Sequence, residues 1–140
     1  MNVLLIEDDR VDATLAMHHL AQCETHQFQV CHAWSLVAAR EAIDSDVPFD
    51  VILLDLNLPG SSGSETVRRC HDLAPSIPIV AYTGQMVPDL DALVLAGADD
   101  LLDKHEMNGN LPRTVVIASK RRQRPPSDAL QREFEAALFP

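Results

Sequence analysis

Short apolar runs alternate along the chain with longer stretches whose apolar residues recur at helical spacing. Val3, Leu4, Leu5 and Ile6 form a run rich in branched residues and too brief for a helix, which predicts a buried strand. From 11 to about 23 the apolar positions Val11, Leu15 and Leu20 suit a helix. A second strand is predicted at 28–31, and Ser35 can cap a helix running through Val37, Ala38 and Ala42 to Asp44. Asp50-Val51-Ile52-Leu53-Leu54-Asp55 is the strongest strand signal. Pro59-Gly60-Ser61-Ser62-Gly63 then reads as a turn before a helix over 64–73. A fourth strand is expected over 77–82, with Pro78 at its start, where no ladder hydrogen bond is lost. A short helix over 89–96 ends at Gly97, a good residue to follow a helix. Leu101 and Leu102 mark a brief fifth strand, and a last helix runs from 109 or 111 to 123 with Pro112 near its first turn.

Strand and helix thus alternate five times. Parallel strands need crossover connections, so the order predicts an α/β fold with a parallel sheet covered by helices on both faces. Right-handed crossovers narrow this to a doubly wound sheet, whose functional residues gather beyond the carboxyl ends of the strands.

At those ends stand Glu7, Asp8 and Asp9 after the first strand, Asp55 after the third, Thr83 and Gly84 after the fourth, and Lys104 after the fifth. Like charges about 4 Å apart repel by roughly 4 kcal/mol at an effective dielectric of about 20, so such a carboxylate cluster needs cations. Lys104 can offset part of the repulsion. A hard divalent ion can offset the rest, and magnesium suits a few carboxylates, waters and phosphate oxygens. A carboxylate beside such an ion can attack phosphorus, while metal, ammonium and hydroxyl stabilise the equatorial oxygens. This is the chemistry of an aspartyl-phosphate site.

Four stretches, in their order and spacing, resemble the landmarks of bacterial response-regulator receivers. They are Leu4-Leu5-Ile6-Glu7-Asp8-Asp9, Asp55 through Gly63, Ala81-Tyr82-Thr83-Gly84, and Gly97 through Lys104. The resemblance spans about residues 2–122. It implies a flavodoxin-like five-stranded sheet of order 2-1-3-4-5 and a phosphoryl group received from a sensor histidine kinase with Mg2+. Asp55 matches the phosphoacceptor and Asp8 the direct metal ligand. Glu7 matches the acidic partner that acts through water, and Asn57 the residue whose backbone carbonyl ligates the metal. Thr83, Gly84 and Lys104 match the phosphoryl-binding positions, and Asn57 and Gln85 the two that tune dephosphorylation. Two positions depart from the pattern. Leu101 stands where the family often has Tyr or Phe, which removes the aromatic half of the usual switch. His105 stands where it usually has Pro. A cis bond without proline costs about 3 kcal/mol, so the Lys104–His105 bond is expected trans and the loop reshaped.

Other features read more plainly. Asp12 reads as a first-turn helix acid rather than a ligand, and Asp9 is open between that role and the site. His105 reads as a solvated loop histidine, and no histidine shows a zinc spacing. Cys23, Cys31 and Cys70 are expected to be small buried or half-buried thiols, reduced in a cytoplasmic setting. No stretch approaches the roughly 20 apolar residues of a membrane span, and the first residues lack a secretory pattern.

The formal net charge of -10 argues against direct nucleic-acid binding. Up to Ser119 there are 6 basic and 18 acidic residues, against 5 and 3 from Lys120 onward. The basic stretch Lys120-Arg121-Arg122-Gln123-Arg124 reads as cations complementing a helix end. The expected division is a receiver over 1–124 and a tail over 125–140. In the tail Pro125-Pro126 precedes a short helix with Leu130, Phe134, Ala137 and Leu138 on one face. That face needs a surface: its own receiver, a second copy in a homodimer, or an output partner.

Three function classes compete. The leading one is a response regulator signalling through phosphorylation-dependent partner binding, a phosphoacceptor rather than an enzyme with an external substrate. The alternative is a phosphorylation-independent pseudo-receiver or scaffold, supported by Leu101 and His105 alone. A haloacid-dehalogenase-type phosphatase would need a D-x-D pattern after the first strand, which Glu7-Asp8-Asp9 does not supply.

Overall fold

The structure is a computed structural model and describes residues 1–85 and 89–121. The tail over 125–140 and the end of the basic stretch lie outside the described residues. Among the described residues seven strands and five helices follow in order: β1 (Asn2–Ile6), α1 (Arg10–Ala21), β2 (Gln29–Ala33), α2 (Leu36–Ile43), β3 (Val51–Asp55), β4 (Asn57–Leu58), β5 (Ser61–Ser62), α3 (Ser64–Leu73), β6 (Ile79–Thr83), α4 (Leu90–Ala96), β7 (Asp100–Asp103) and α5 (Asn110–Arg121). A single 3-10 turn, Lys104–Glu106, links β7 to α5. The main sheet is parallel, in the order β2-β1-β3-β6-β7. With β4 and β5 set aside, this is the doubly wound order expected from the sequence. Those two short strands pair antiparallel within the stretch read as a turn.

Alternation along the strands sorts the core into two layers, because successive side chains leave opposite faces of a sheet. Val3, Leu5, Val51, Leu53, Val80, Tyr82 and Leu102 face α1 and α5. Leu4, Ile6, Ile52, Leu54, Ile79 and Ala81 face the other side, with Ala39, Val67, Cys70 and Leu93 of α2, α3 and α4. Strands β3 and β6 are buried along their whole length, as continuous apolar runs between two helix layers should be.

The helix starts follow their caps. The Asp9 side chain accepts the Asp12 N–H at 2.9 Å, that of Ser35 the Ala38 N–H at 3.1 Å, and that of Asp89 the Ala92 N–H at 3.0 Å. Gly97 closes α4 with a φ of 119°, a left-handed conformation that favours glycine.

Two readings need correction, and the burial of α1 adds a third finding. The buried face of α1 is Ala13, Ala16 and Leu20, while Val11 and Leu15 are exposed. Ala13, Ala16 and Leu20 join the core layer that α1 shares with α5, and the larger Val11 and Leu15 stay outside it. Strand β2 runs to Ala33 rather than 31, and as an edge strand it is only half covered. For that reason Cys31 is exposed, whereas Cys70 is buried and Cys23 partly so.

Candidate functional site

Register and alternation together assemble the site. Ile6 pairs with Leu54, Asp55 with Tyr82, and Thr83 with Asp103, so the polar residues that follow or end these strands lie at one level. Glu7 continues the parity of Val3 and Leu5, Asp55 that of Val51 and Leu53, and Lys104 that of Leu102. These side chains therefore converge on the face covered by α1 and α5. Asp55 and Lys104 border a cleft of about 550 Å3, lined also by Asp8, Asn57, Thr83 and Gln85 among others, with Glu7 buried beneath.

The Lys104 ammonium is the hub. Its Nζ lies 2.9 Å from Asp12 Oδ2, 3.1 Å from Glu7 Oε2 and 3.4 Å from Asp55 Oδ2. The Tyr82 ring sits beneath it, 4.9 Å from Nζ to the ring centroid, within cation–π range. The Tyr82 hydroxyl donates to Glu7 Oε2, and the Asp9 N–H donates to Glu7 Oε1 at 3.0 Å. Glu7 is fully buried with both oxygens engaged, whereas Asp8 is exposed. Carboxylate oxygens of Glu7, Asp8 and Asp55 lie within 4.8 Å of one another. All are hard oxygen donors around an open edge, and this fits a magnesium-type ion. The Asn57 N–H donates to Asp55 Oδ1 at 3.0 Å, and the Gln85 N–H donates to Thr83 Oγ1 at 3.1 Å. A Cβ added to Gly84 would meet only the Lys104 stem, at 3.7 Å, so this position has room for alanine.

Burial sets the charge balance. Desolvation, and then the neighbouring Asp55, push the Glu7 carboxyl above its ordinary value. Burial and the adjoining Glu7 raise the Tyr82 phenol. Burial works against the Lys104 ammonium, but Asp12, Asp55 and Glu7 outweigh it and hold the group above the ordinary lysine range.

For both Lys104 and Tyr82 folding favours the protonated form. The stability they contribute is complete below their unfolded values of 10.5 and 10.0 and is lost as pH rises past those points. Urea midpoints measured from pH 8 to 11 should therefore fall steeply above pH 10. Tyr82→Phe should flatten part of that fall, and an unchanged slope would refute the assignment.

The structure brings together Glu7, Asp8, Asp55, Thr83, Gly84 and Lys104, with Asn57 and Gln85 at the rim. Asp9 caps α1. Leu101 lies apart on β7, half-buried against the layer that includes α4. The Lys104–His105 bond is trans, and the missing proline has a local consequence. The His105 N–H donates to Asp103 Oδ1 at 2.8 Å, which starts the 3-10 turn.

Two residues were missed in the sequence. Asp12 does stand in the first turn of α1, but its carboxylate also holds Lys104. Its place four residues before the buried Ala16 was the available signal. Tyr82 shares the strand parity of Val80, which puts its ring under the site.

A family model described as the response regulator receiver domain matches residues 3–116. A two-component response regulator of Oryza sativa subsp. japonica, ORR41, is 31% identical over 105 residues, covering 74% of this chain and 83% of that protein. The transcriptional regulatory protein PhoP of Escherichia coli K12 is 32% identical over 106 residues, 74% of this chain but 45% of PhoP. The chemotaxis protein CheY4 of Vibrio cholerae shares the fold, with a TM-score of 0.70 at 23% identity, covering 84% of this chain and 97% of that one. A parallel five-stranded sheet with an acidic cleft at its carboxyl edge thus meets a family-wide sequence match. The chain belongs to the response regulator receiver domain family of two-component systems. Among the described residues no helix is long and apolar enough to cross a membrane.

Proposed function

We propose that Asp55 is the phosphoacceptor of this receiver, charged by a sensor histidine kinase in a Mg2+-dependent reaction. The observation that carries this reading is the meeting of Asp8, Asp55, Thr83 and Lys104 on one cleft, although they come from four different strand ends. An Asp55 carboxylate oxygen forms a bond to phosphorus as the P–N bond of phosphohistidine breaks. The electron pair leaves on the imidazole nitrogen, which takes up a proton. Asp8, Asp55 and the Asn57 backbone carbonyl would hold the metal, and Glu7, its oxygens already engaged, would act through water. The ion would neutralise charge on the transferred oxygens. Lys104, the Thr83 hydroxyl and the Gly84 N–H face the same group. Asn57 and Gln85 would flank the approach of a hydrolytic water and so tune the dephosphorylation rate. The phosphorylated form would favour a conformation that an output partner binds, with Leu101 at the switch position.

The test is a mass measurement after incubation with acetyl phosphate and Mg2+. A gain of one phosphoryl group, mapped to Asp55 and absent when Mg2+ is chelated beforehand, is expected. No gain in the folded wild-type protein would turn the reading toward a phosphorylation-independent scaffold.

A further inference from the structure

The resting partners of Lys104 carry an inference particular to this chain. Its ammonium makes its shortest contact, 2.9 Å, with Asp12 of α1, and its longest carboxylate contact, 3.4 Å, with Asp55. Glu7 is fixed, being buried and held at both oxygens. The Tyr82 ring closes the floor. Asp12 is different. Its side chain is 35% exposed at the lip of the cleft, on the first turn of a helix. It is the partner that the ammonium can leave without stranding a buried charge.

We propose that Asp12 is the resting counter-ion of Lys104, a positioning residue that competes with the incoming phosphoryl group for the ammonium. The inference rests on Asp55 as the phosphoacceptor. A phosphoryl group on Asp55 brings new anionic oxygens to the ammonium. Lys104 then turns from Asp12 toward Asp55, while Glu7 and Tyr82 continue to hold its inner side. Asp12 thereby restrains phosphorylation, and it acts only through Lys104.

Three variants separate this from a general effect of charge. Asp12→Asn keeps the shape and removes the competing charge. Asp12→Glu keeps a charge within reach of Lys104. Asp9→Asn removes the same charge from a neighbouring residue whose carboxylate caps α1 instead. At saturating Mg2+, Asp12→Asn should take phosphoryl from acetyl phosphate about threefold faster than wild type, the scale of one partly exposed ion pair. Asp12→Glu should return toward the wild-type rate, and Asp9→Asn should show a smaller change than Asp12→Asn. The 15N resonance of the Lys104 ammonium supplies a readout independent of turnover. It should shift and broaden in Asp12→Asn and hold its position in Asp9→Asn. Equal rates for Asp12→Asn and wild type, equal acceleration in Asp9→Asn, or an unchanged ammonium resonance in Asp12→Asn would each overturn the proposal. If wild type and every variant fail alike to gain phosphoryl, the Asp55 reading has failed and takes this one with it. A flat response among active variants removes Asp12 alone.

Discussion

Asp55→Asn should end phosphoryl uptake and at the same time raise the melting temperature. The amide lacks the anionic oxygen that attacks phosphorus, so no acyl phosphate forms at this position. The gain in stability follows from the charges around it. Oxygens of Glu7, Asp8 and Asp55 crowd within 4.8 Å, and Asp55 has the longest of the Lys104 contacts at 3.4 Å. Removing the Asp55 charge relieves two repulsions and gives up one attraction. At an effective dielectric of about 20 the net relief is about 1–2 kcal/mol after relaxation. That corresponds to a rise of roughly 3–8 °C for a domain of this size. The amide oxygen can still accept the Asn57 N–H that Asp55 now receives. Calorimetry without metal is the measurement, and a lowered melting temperature would show that the ion pair with Lys104 outweighs the crowding.

Lys104→Met should have the opposite effect on stability. The methionine keeps most of the stem volume against Tyr82 and Gly84, but it withdraws the cation from Glu7, Asp12 and Asp55. Glu7 is the costly one, because it is wholly buried and keeps only the Tyr82 hydroxyl and the Asp9 N–H. Removing one partner of a buried pair typically costs about 3–5 kcal/mol. The raised Glu7 value implies that part of this cost is met by protonation. The loss should therefore shrink as pH is lowered and Glu7 takes up its proton. Phosphoryl uptake should slow by about 100-fold, the scale of one missing charge-stabilising donor. In urea titrations the double variant with Asp55→Asn should recover part of the lost stability, since the two residues are in contact and their effects do not add. Strict additivity would mean that they do not share one charge network.

Much of this was legible in the sequence, for definite reasons. Runs such as Val51 to Leu54 can hardly be anything but central parallel strands, and their polar terminators mark the carboxyl edge. Ser35 and Asp89 announce their helices through short-range hydrogen bonds that depend on little else. What escaped depends on tertiary contact. Val11 and Leu15 outrank Ala13 and Ala16 in hydrophobicity, yet it is the alanines that α1 buries in the layer it shares with α5. Asp12 reads locally as a helix-start acid, and only the fold brings it to Lys104, 92 positions away. The pairing of Asn57–Leu58 with Ser61–Ser62 is too short to carry a periodic signal.

Tyr82 is the sole tyrosine of the chain, and it touches the two groups about which the charge network turns. The single tryptophan, Trp34, is half exposed and does not line the cleft. The phenol's near-ultraviolet absorption responds to the carboxylate it donates to, and to the cation above its ring. The protein therefore carries its own optical gauge: a label-free spectrum should follow ion loading and phosphorylation in real time, with no dye and no engineered chromophore.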